Sequence, residues 1–348
     1  MASEPSGGPL EVRGEPQPQE QGTRPLLDVR DLRVYYRAAG RVGRRGLHVR
    51  AVDGVSLALG RGETLGLVGE SGSGKSTLAK SLIRLERATS GEILLDGTDI
   101  LAISERAFVP VRRRIQMIFQ DSLNSLNPRY TLADTLAEPF IVHRLAPRRQ
   151  LRDNVAELLA SVGLSPEMMD QRATELSGGQ RQRVNIARAL APTPEVIIAD
   201  EPTSSLDVSV QAQVLNLMRE LQQQMGMSYL FISHDLGVIR RMASQVAVMY
   251  LGKVVEAAPR DAIYARPLHP YTRALMMAAP RPDPRRERQR KQAPIPGEVP
   301  SATEQPPGCR FSPRCAMAQP ICASEEPPLR PVEPGHWSAC HFAEELRA

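Results

Sequence analysis

The octapeptide Gly69-Glu-Ser-Gly-Ser-Gly-Lys-Ser76 constrains this chain more than any other segment. It fits the pattern G-x-x-x-x-G-K-[ST], whose glycines let the backbone curl until its N–H groups converge on phosphate oxygens. The apolar run Glu63-Thr-Leu-Gly-Leu-Val68 precedes it, and the amphipathic residues 76–85 follow. Strand, glycine-rich loop and helix therefore succeed one another, and the helix adds its positive dipole end. In this frame Lys75 reaches the β and γ phosphates and the Ser76 hydroxyl ligates Mg2+. Gly69, Ser71, Gly72, Ser73, Gly74 and Thr77 complete the candidate phosphate-binding set.

Such a loop needs an aspartate at the end of a buried strand to hold Mg2+, with an acid beside it. Val196-Ile-Ile-Ala-Asp200-Glu201 has that form. Asp200 holds the metal through its shell, and Glu201 polarises the attacking water as general base. Around these motifs, residues 26–36 and 51–59 read as strands, and 195–199 and 228–232 as buried strands. Residues 151–162, 179–190 and 208–225 read as helices. Strands separated by helices predict an α/β domain with a parallel central sheet.

Composition sets the outer limits. A chain of 348 residues suggests one large domain with extensions, or two domains. A hydrophobic content of 41% with 24% charge describes a soluble globular chain. The net charge of +5 is weak evidence for nucleic acid, which is not expected as a partner. No apolar stretch approaches the ~20 residues of a membrane-spanning helix. The distribution is uneven: 5 of the 30 prolines lie in residues 1–25 and 13 in residues 281–348, and all four cysteines follow residue 308. Residues 1–25 read as a disordered head without the apolar core of a secretory signal, which points to the cytosol.

Leu176-Ser-Gly-Gly-Gln-Arg-Gln-Arg183 is a second anion-binding helix N-terminus. One nucleotide does not need two such loops from one subunit, so the site is expected to be shared between two chains. Here the chain resembles the ATP-binding subunits of ABC transporters, whose signature is LSGGQ. Gln120 in Ile-Phe-Gln-Asp is similar to that family's Q-loop glutamine, Ser205-Leu-Asp207 to its D-loop and His234 in Ile-Ser-His-Asp to its switch histidine. Tyr36 matches the adenine-stacking aromatic, with Tyr35 as the alternative. The resemblance implies a P-loop NTPase fold over residues 26–258, with a helical subdomain at about 121–175. It also implies ATP and Mg2+ at a site built from the phosphate loop, Gln120, Asp200, Glu201 and His234 of one chain. Ser177, Gly178, Gly179, Gln180 and Asp207 would serve the site shared with the other, and Gln120 would join Ser76 and Asp200 at Mg2+.

Asp121-Ser-Leu-Asn-Ser-Leu-Asn-Pro-Arg-Tyr130 and Pro267-Leu-His-Pro-Tyr-Thr-Arg-Ala-Leu275 resemble the oligopeptide/dipeptide importer ATPases, a group that includes nickel-importer relatives. This implies a peripheral subunit at the cytoplasmic face of the cell membrane. Its partners would be a second ATPase (a copy or a paralogue), two permease subunits and an extracytoplasmic peptide-binding protein. A nickel or other small-solute importer is the alternative, and a soluble non-transport ABC ATPase a further one. Residues 259–348 form a Pro-rich extension. Its basic run at 281–291 reads as a solvated linker, with anionic lipid heads as the other reading. Cys309, Cys315, Cys322 and Cys340 give the spacing C-x5-C-x6-C-x17-C. In a reducing compartment this implies a metal. Uneven gaps suit a structural [4Fe–4S] cluster, which the tails of this subfamily resemble. Zinc, with His336 or His341 as substitute ligands, is the alternative, and four unliganded buried thiols the plain reading.

Overall fold

The computed structural model describes residues 24–37, 48–121, 125–278, 297, 300 and 305–347. The expected head, except Arg24 and Pro25, and the basic run at 281–291 lie outside these residues. The chain divides into two compact units: one takes residues up to 60, 64–101 and 233 onward, the other 61–63 and 102–232.

The first unit begins with β1 (Leu27–Arg37), β2 (His48–Leu59), β3 (Thr64–Val68), α1 (Lys75–Leu82), β4 (Ser90–Leu95) and β5 (Thr98–Asp99). The strands β2-β1-β4-β5 form an antiparallel sheet, with Leu27 opposite both Leu59 and Leu95. Along β1 the buried side chains are Leu27, Val29, Leu32 and Val34. A register shift between Val29 and Leu32, with Asp31 at φ 43°, returns the second pair to the core face. The pairing in this sheet is antiparallel for a topological reason. β1 and β2 follow each other without a crossover helix, and parallel pairing of consecutive strands requires one.

The second unit contains α2 (Glu105–Arg114), β6 (Ile115–Ile118), α3 (Leu132–Val142), α4 (Leu151–Ser161), α5 (Gly178–Leu190), β7 (Val196–Asp200), α6 (Val208–Met225) and β8 (Ser228–Ile232). Strands β6, β7 and β8 pair in parallel, as expected. Their apolar composition follows, since helices cover parallel sheets on both faces. All five residues of β7 and of β8 are buried. Helix α6 buries Val214, Leu215, Met218 and Leu221 and ends on Gly226 at φ 68°. Between residues 125 and 175 the chain is helical: α3 opens on a capping box of Thr131 and Asp134, and α4 and short 3₁₀ turns follow.

The chain then adds α7 (Leu236–Met242), β9 (Gln245–Tyr250), β10 (Lys253–Pro259), α8 (Arg260–Ala265), α9 (Pro270–Ala278), β11 (Arg330–Glu333) and β12 (His336–Ser338) to the first unit. β9 runs parallel to β3 and antiparallel to β10. β12 pairs with β10, placing Ser338 opposite Glu256, so the C-terminal residues extend the sheet that carries the phosphate loop. Glu256 is fully buried at the centre of this join. It accepts the backbone N–H groups of Leu268 at 2.5 Å and His269 at 3.0 Å, and its other contact is His336 Nε2 at 2.7 Å. Leu268, Cys340, Ala343 and Leu346 form a small apolar core beside it. Among the described residues, no helix is long and apolar enough to cross a membrane.

Candidate nucleotide site and cysteine cluster

In the first unit, the loop between β3 and α1 carries the phosphate-binding pattern. Gly74 is the N-cap of α1 at φ 103°, and a Cβ there would stand 2.0 Å from the Ala51 carbonyl oxygen. Only glycine fits. The helix therefore starts at Lys75, one residue before the position read from sequence. Lys75 is buried and folds back across the loop. Its Nζ donates to the carbonyls of Gly69 and Glu70, both at 2.8 Å, and to Ser73 Oγ at 3.2 Å. The ammonium thus organises the loop and sits where phosphate charge would gather.

Tyr35 and Tyr36 face opposite ways on β1. The Tyr35 hydroxyl donates to Asp53, which is also paired with Arg310. Burial, then the Asp53 hydrogen bond, pushes the Tyr35 phenol up to about 12. Burial also raises Asp53, but the bonds from Tyr35 and Arg310 outweigh it and hold the carboxyl below its usual range. Tyr36 instead shares hydrogen bonds with Thr77 of α1 and with Glu86. That places Tyr36 beside the loop and commits Tyr35 to structure, so Tyr36 is the adenine-stacking candidate. His234 is exposed in the same unit, just before Asp235, which caps α7 by accepting Gly237 N–H at 2.7 Å.

In the second unit, Asp200 ends β7 and is buried, and Glu201 follows at φ 48°. This left-handed conformation is costly for a glutamate. The Glu201 N–H donates to the Ile232 carbonyl at 2.9 Å, and its carboxylate accepts Gln120 Nε2 at 2.9 Å. The structure therefore joins two of the predicted residues across 81 positions of sequence. Ser177 caps α5: its Oγ accepts the Gln180 N–H at 3.3 Å, and Gln180 Oε1 accepts the Ser177 N–H at 2.9 Å. Gly178 and Gly179 form the first turn of that helix, presenting its N-terminus as a rigid donor surface. Asp207 is the N-cap residue of α6, without a side-chain capping bond.

Several residues beside the phosphate loop were not singled out from the sequence. Arg314 forms a two-pronged pair with the Glu70 carboxylate, at 2.8 and 3.1 Å, and the Glu70 N–H donates to Tyr271 Oη at 2.8 Å. Arg310 donates to Asp53 and to the Leu251 carbonyl. Both arginines lie between Cys309 and Cys315. Their spacing offers no clue to partners more than 240 residues away.

The four cysteines line one small cavity, together with His269, Phe311, His341 and Phe342. The Cys309 N–H donates to the Cys322 carbonyl at 2.8 Å, and a Cβ on Gly308 would approach that oxygen to 2.4 Å. Burial, then the neighbouring thiols Cys322 and Cys315, pushes Cys309 up to about 11. Burial raises Cys315 as well, and takes Cys340 up to about 12. Among the described residues, no three His, Cys, Asp or Glu side chains close on a single-ion position. His336, the other substitute ligand, does not line this cavity, and its Nε2 contacts buried Glu256 at 2.7 Å. His341 lines the cavity, but its Nε2 contacts the Glu325 carbonyl at 3.0 Å.

The ABC transporter family model matches residues 52–204, and the model for the C-terminal region of oligopeptide/dipeptide transporters matches residues 255–322. A Sinorhizobium fredii protein described as a peptide ABC transporter ATP-binding protein is 53% identical over 84% of this chain and 82% of its own. The chain belongs to the ABC transporter ATP-binding family. The oligopeptide transport ATP-binding protein AppF of Bacillus subtilis is 49% identical over 91% of this chain and 97% of its own length. Among solved structures, the ADP- and phosphate-bound dimer of the cassette MJ0796 aligns with a TM-score of 0.60 at 27% identity. It covers 67% of this chain and 98% of that one. The cbiO1 cassette of Clostridium perfringens gives a TM-score of 0.60 at 29% identity, over 69% and 91% of the two chains. As a member of this family the chain is an ATPase with the P-loop NTPase fold.

Proposed function

We propose that this chain hydrolyses ATP to power import of oligopeptides through membrane permease subunits, as a peripheral subunit on their cytoplasmic side. One observation carries the reading: a cassette match and an oligopeptide/dipeptide transporter C-terminal match occur in the same chain. Relatives named for peptide transport, at 46–53% identity, support it. In the active assembly two such cassettes pair, and an extracytoplasmic binding protein delivers the peptide. Reconstitution with permeases encoded beside this gene tests the reading. ATP-dependent peptide uptake is the expected result, and ATP-dependent nickel uptake without peptide uptake would replace it.

We infer the role of each residue from the family resemblance. The N–H groups of the loop and Lys75 bind the β and γ phosphates, and Tyr36 stacks on adenine. Ser76, Asp200 and Gln120 supply the oxygens suited to Mg2+, which when bound offsets phosphate charge. Glu201 accepts a proton from the attacking water, and Gln120 orients its carboxylate. His234 contacts the γ-phosphate. Ser177, Gly179 and Gln180 present the α5 N-terminus to nucleotide held by the other cassette, with Gly178 and Asp207 beside them.

We also propose that Cys309, Cys315, Cys322 and Cys340 hold a [4Fe–4S] cluster of structural role. Four thiols lining one cavity match the number and type of ligands that a cuboidal cluster takes. Anaerobic purification is expected to yield about four iron and four sulfide per chain. A Cys322→Ser variant should lose iron and melt at lower temperature. Stoichiometric zinc would replace the cluster, and absence of any metal would sink the proposal.

A further inference from the structure

Residue 70 lies inside the phosphate-binding loop, yet it is held from outside that loop. Its carbonyl accepts Lys75 Nζ at 2.8 Å, its N–H donates to Tyr271 Oη at 2.8 Å, and its carboxylate receives both prongs of Arg314. Two of these three anchors come from the C-terminal extension. The Arg314 side chain is 5% exposed and that of Glu70 23%. The guanidinium also donates to Tyr250 Oη at 3.3 Å and lies over the rings of Tyr250 and Phe311 at 5.9 and 6.0 Å. Tyr250, Tyr271 and Phe311 pack against one another with centroids 4.6 to 5.4 Å apart.

A planar guanidinium engaged by two prongs and backed by aromatic rings has essentially one pose, so it transmits position as well as charge. The same segment sets Arg310 on Asp53, the partner of Tyr35. Both arginines sit between Cys309 and Cys315, so the residues that tie the cysteine segment down also tie down the strand and loop expected to meet nucleotide.

We propose that the segment between Cys309 and Cys315 is a clamp on the phosphate-binding loop, with Arg314 acting through Glu70 as a positioning residue for ATP. The proposal rests on the reading of residues 69–76 as the nucleotide site. A loop already held in its binding shape does not lose affinity to the entropy of becoming ordered. Releasing Glu70 would return that cost to each binding event. Chemistry at the γ-phosphate would then proceed normally in those loops that do bind.

The test uses the full-length chain and a fluorescent ATP analogue with Mg2+, alongside steady-state ATP hydrolysis. Arg314→Ala is expected to raise the nucleotide Kd about tenfold, with kcat at saturating ATP within about twofold of wild type. Arg314→Lys, which keeps the charge without the fork, should recover part of the loss. Glu70→Ala should raise Kd by a similar factor, and the double variant should be as weak as the single ones and no weaker. Unchanged Kd in either single variant overturns the clamp, as does additivity in the double. Wild-type affinity in the double variant also overturns it, since the arginine would then only neutralise a carboxylate that repels ATP. Should Arg314→Ala fail to fold, Glu70→Ala alone decides. Failure of the wild-type chain to bind the analogue would remove the nucleotide reading itself.

Discussion

Replacing Glu201 by glutamine is expected to lower ATP turnover at saturating nucleotide by about 100- to 1,000-fold, with ATP affinity within about twofold of wild type. The substitution is nearly isosteric. Its amide oxygen can still accept the Gln120 Nε2 hydrogen bond seen at 2.9 Å, and the backbone N–H can still reach the Ile232 carbonyl. What disappears is the ability to take a proton from water. A general base contributes by accepting that proton in the transition state, so the loss falls on kcat and spares binding. The left-handed backbone at residue 201, φ 48°, adds a structural expectation. A conformation with that cost persists only where its surroundings enforce it, and here it aims the carboxylate at Gln120. Single-turnover and steady-state assays on the purified chain would check the result. Undiminished hydrolysis would refute Glu201 as the base.

Gly74→Ala is expected to weaken ATP binding by about 100-fold or more, through the backbone. The added methyl would sit 2.0 Å from the Ala51 carbonyl oxygen and 2.9 Å from Met249 Cε, at a φ of 103° that alanine avoids. Met249 is a side chain and can shift. The Ala51 carbonyl belongs to β2, which is held in a sheet, so the loop must move. Loop N–H groups displaced by about an ångström no longer meet phosphate oxygens at hydrogen-bond distance, and two lost charge-assisted bonds account for a loss of this size. Nucleotide titration, with circular dichroism to confirm the fold, would check it. Near-normal affinity in a folded variant would mean that the loop does not bind phosphate in this shape.

The contiguous motifs were readable because their chemistry is local. A phosphate cradle needs its glycines, lysine and hydroxyl within one turn of chain, so spacing alone identifies Gly69 to Ser76. The same holds for Ser177 and Gln180, whose reciprocal capping of α5 is a three-residue relationship. Strands β7 and β8 and helix α6 were readable from their apolar patterns. The sheet of β1, β2, β4 and β5 was not, since alternation marks a strand but carries no information about its partner. Of two adjacent tyrosines on β1, Tyr36 matched the adenine-stacking aromatic and Tyr35 stood as the alternative. Their different partners, Asp53 for Tyr35 and Thr77 for Tyr36, are visible only in the fold. His336 fitted a metal ligand by composition and proximity to the cysteines, yet the fold turns it toward Glu256, 80 residues away in sequence.

By itself the sequence determined the short patterns from which an ATPase was expected: a phosphate-loop motif, an Asp-Glu pair after a buried strand, a second glycine-rich helix start, and four cysteines confined to the tail. These are short-range patterns, and the reaction dictates their residue types. Only the tertiary structure decided which distant groups support them. Gln120 on Glu201 and Arg314 on Glu70 join positions 81 and 244 residues apart. A linear spacing cannot encode such pairs, because they depend on how strands order themselves in a sheet and which faces they bury. The tail that looked like an appendage is paired to the sheet through β10 and β12, and its Arg314 grips Glu70 of the phosphate-binding loop.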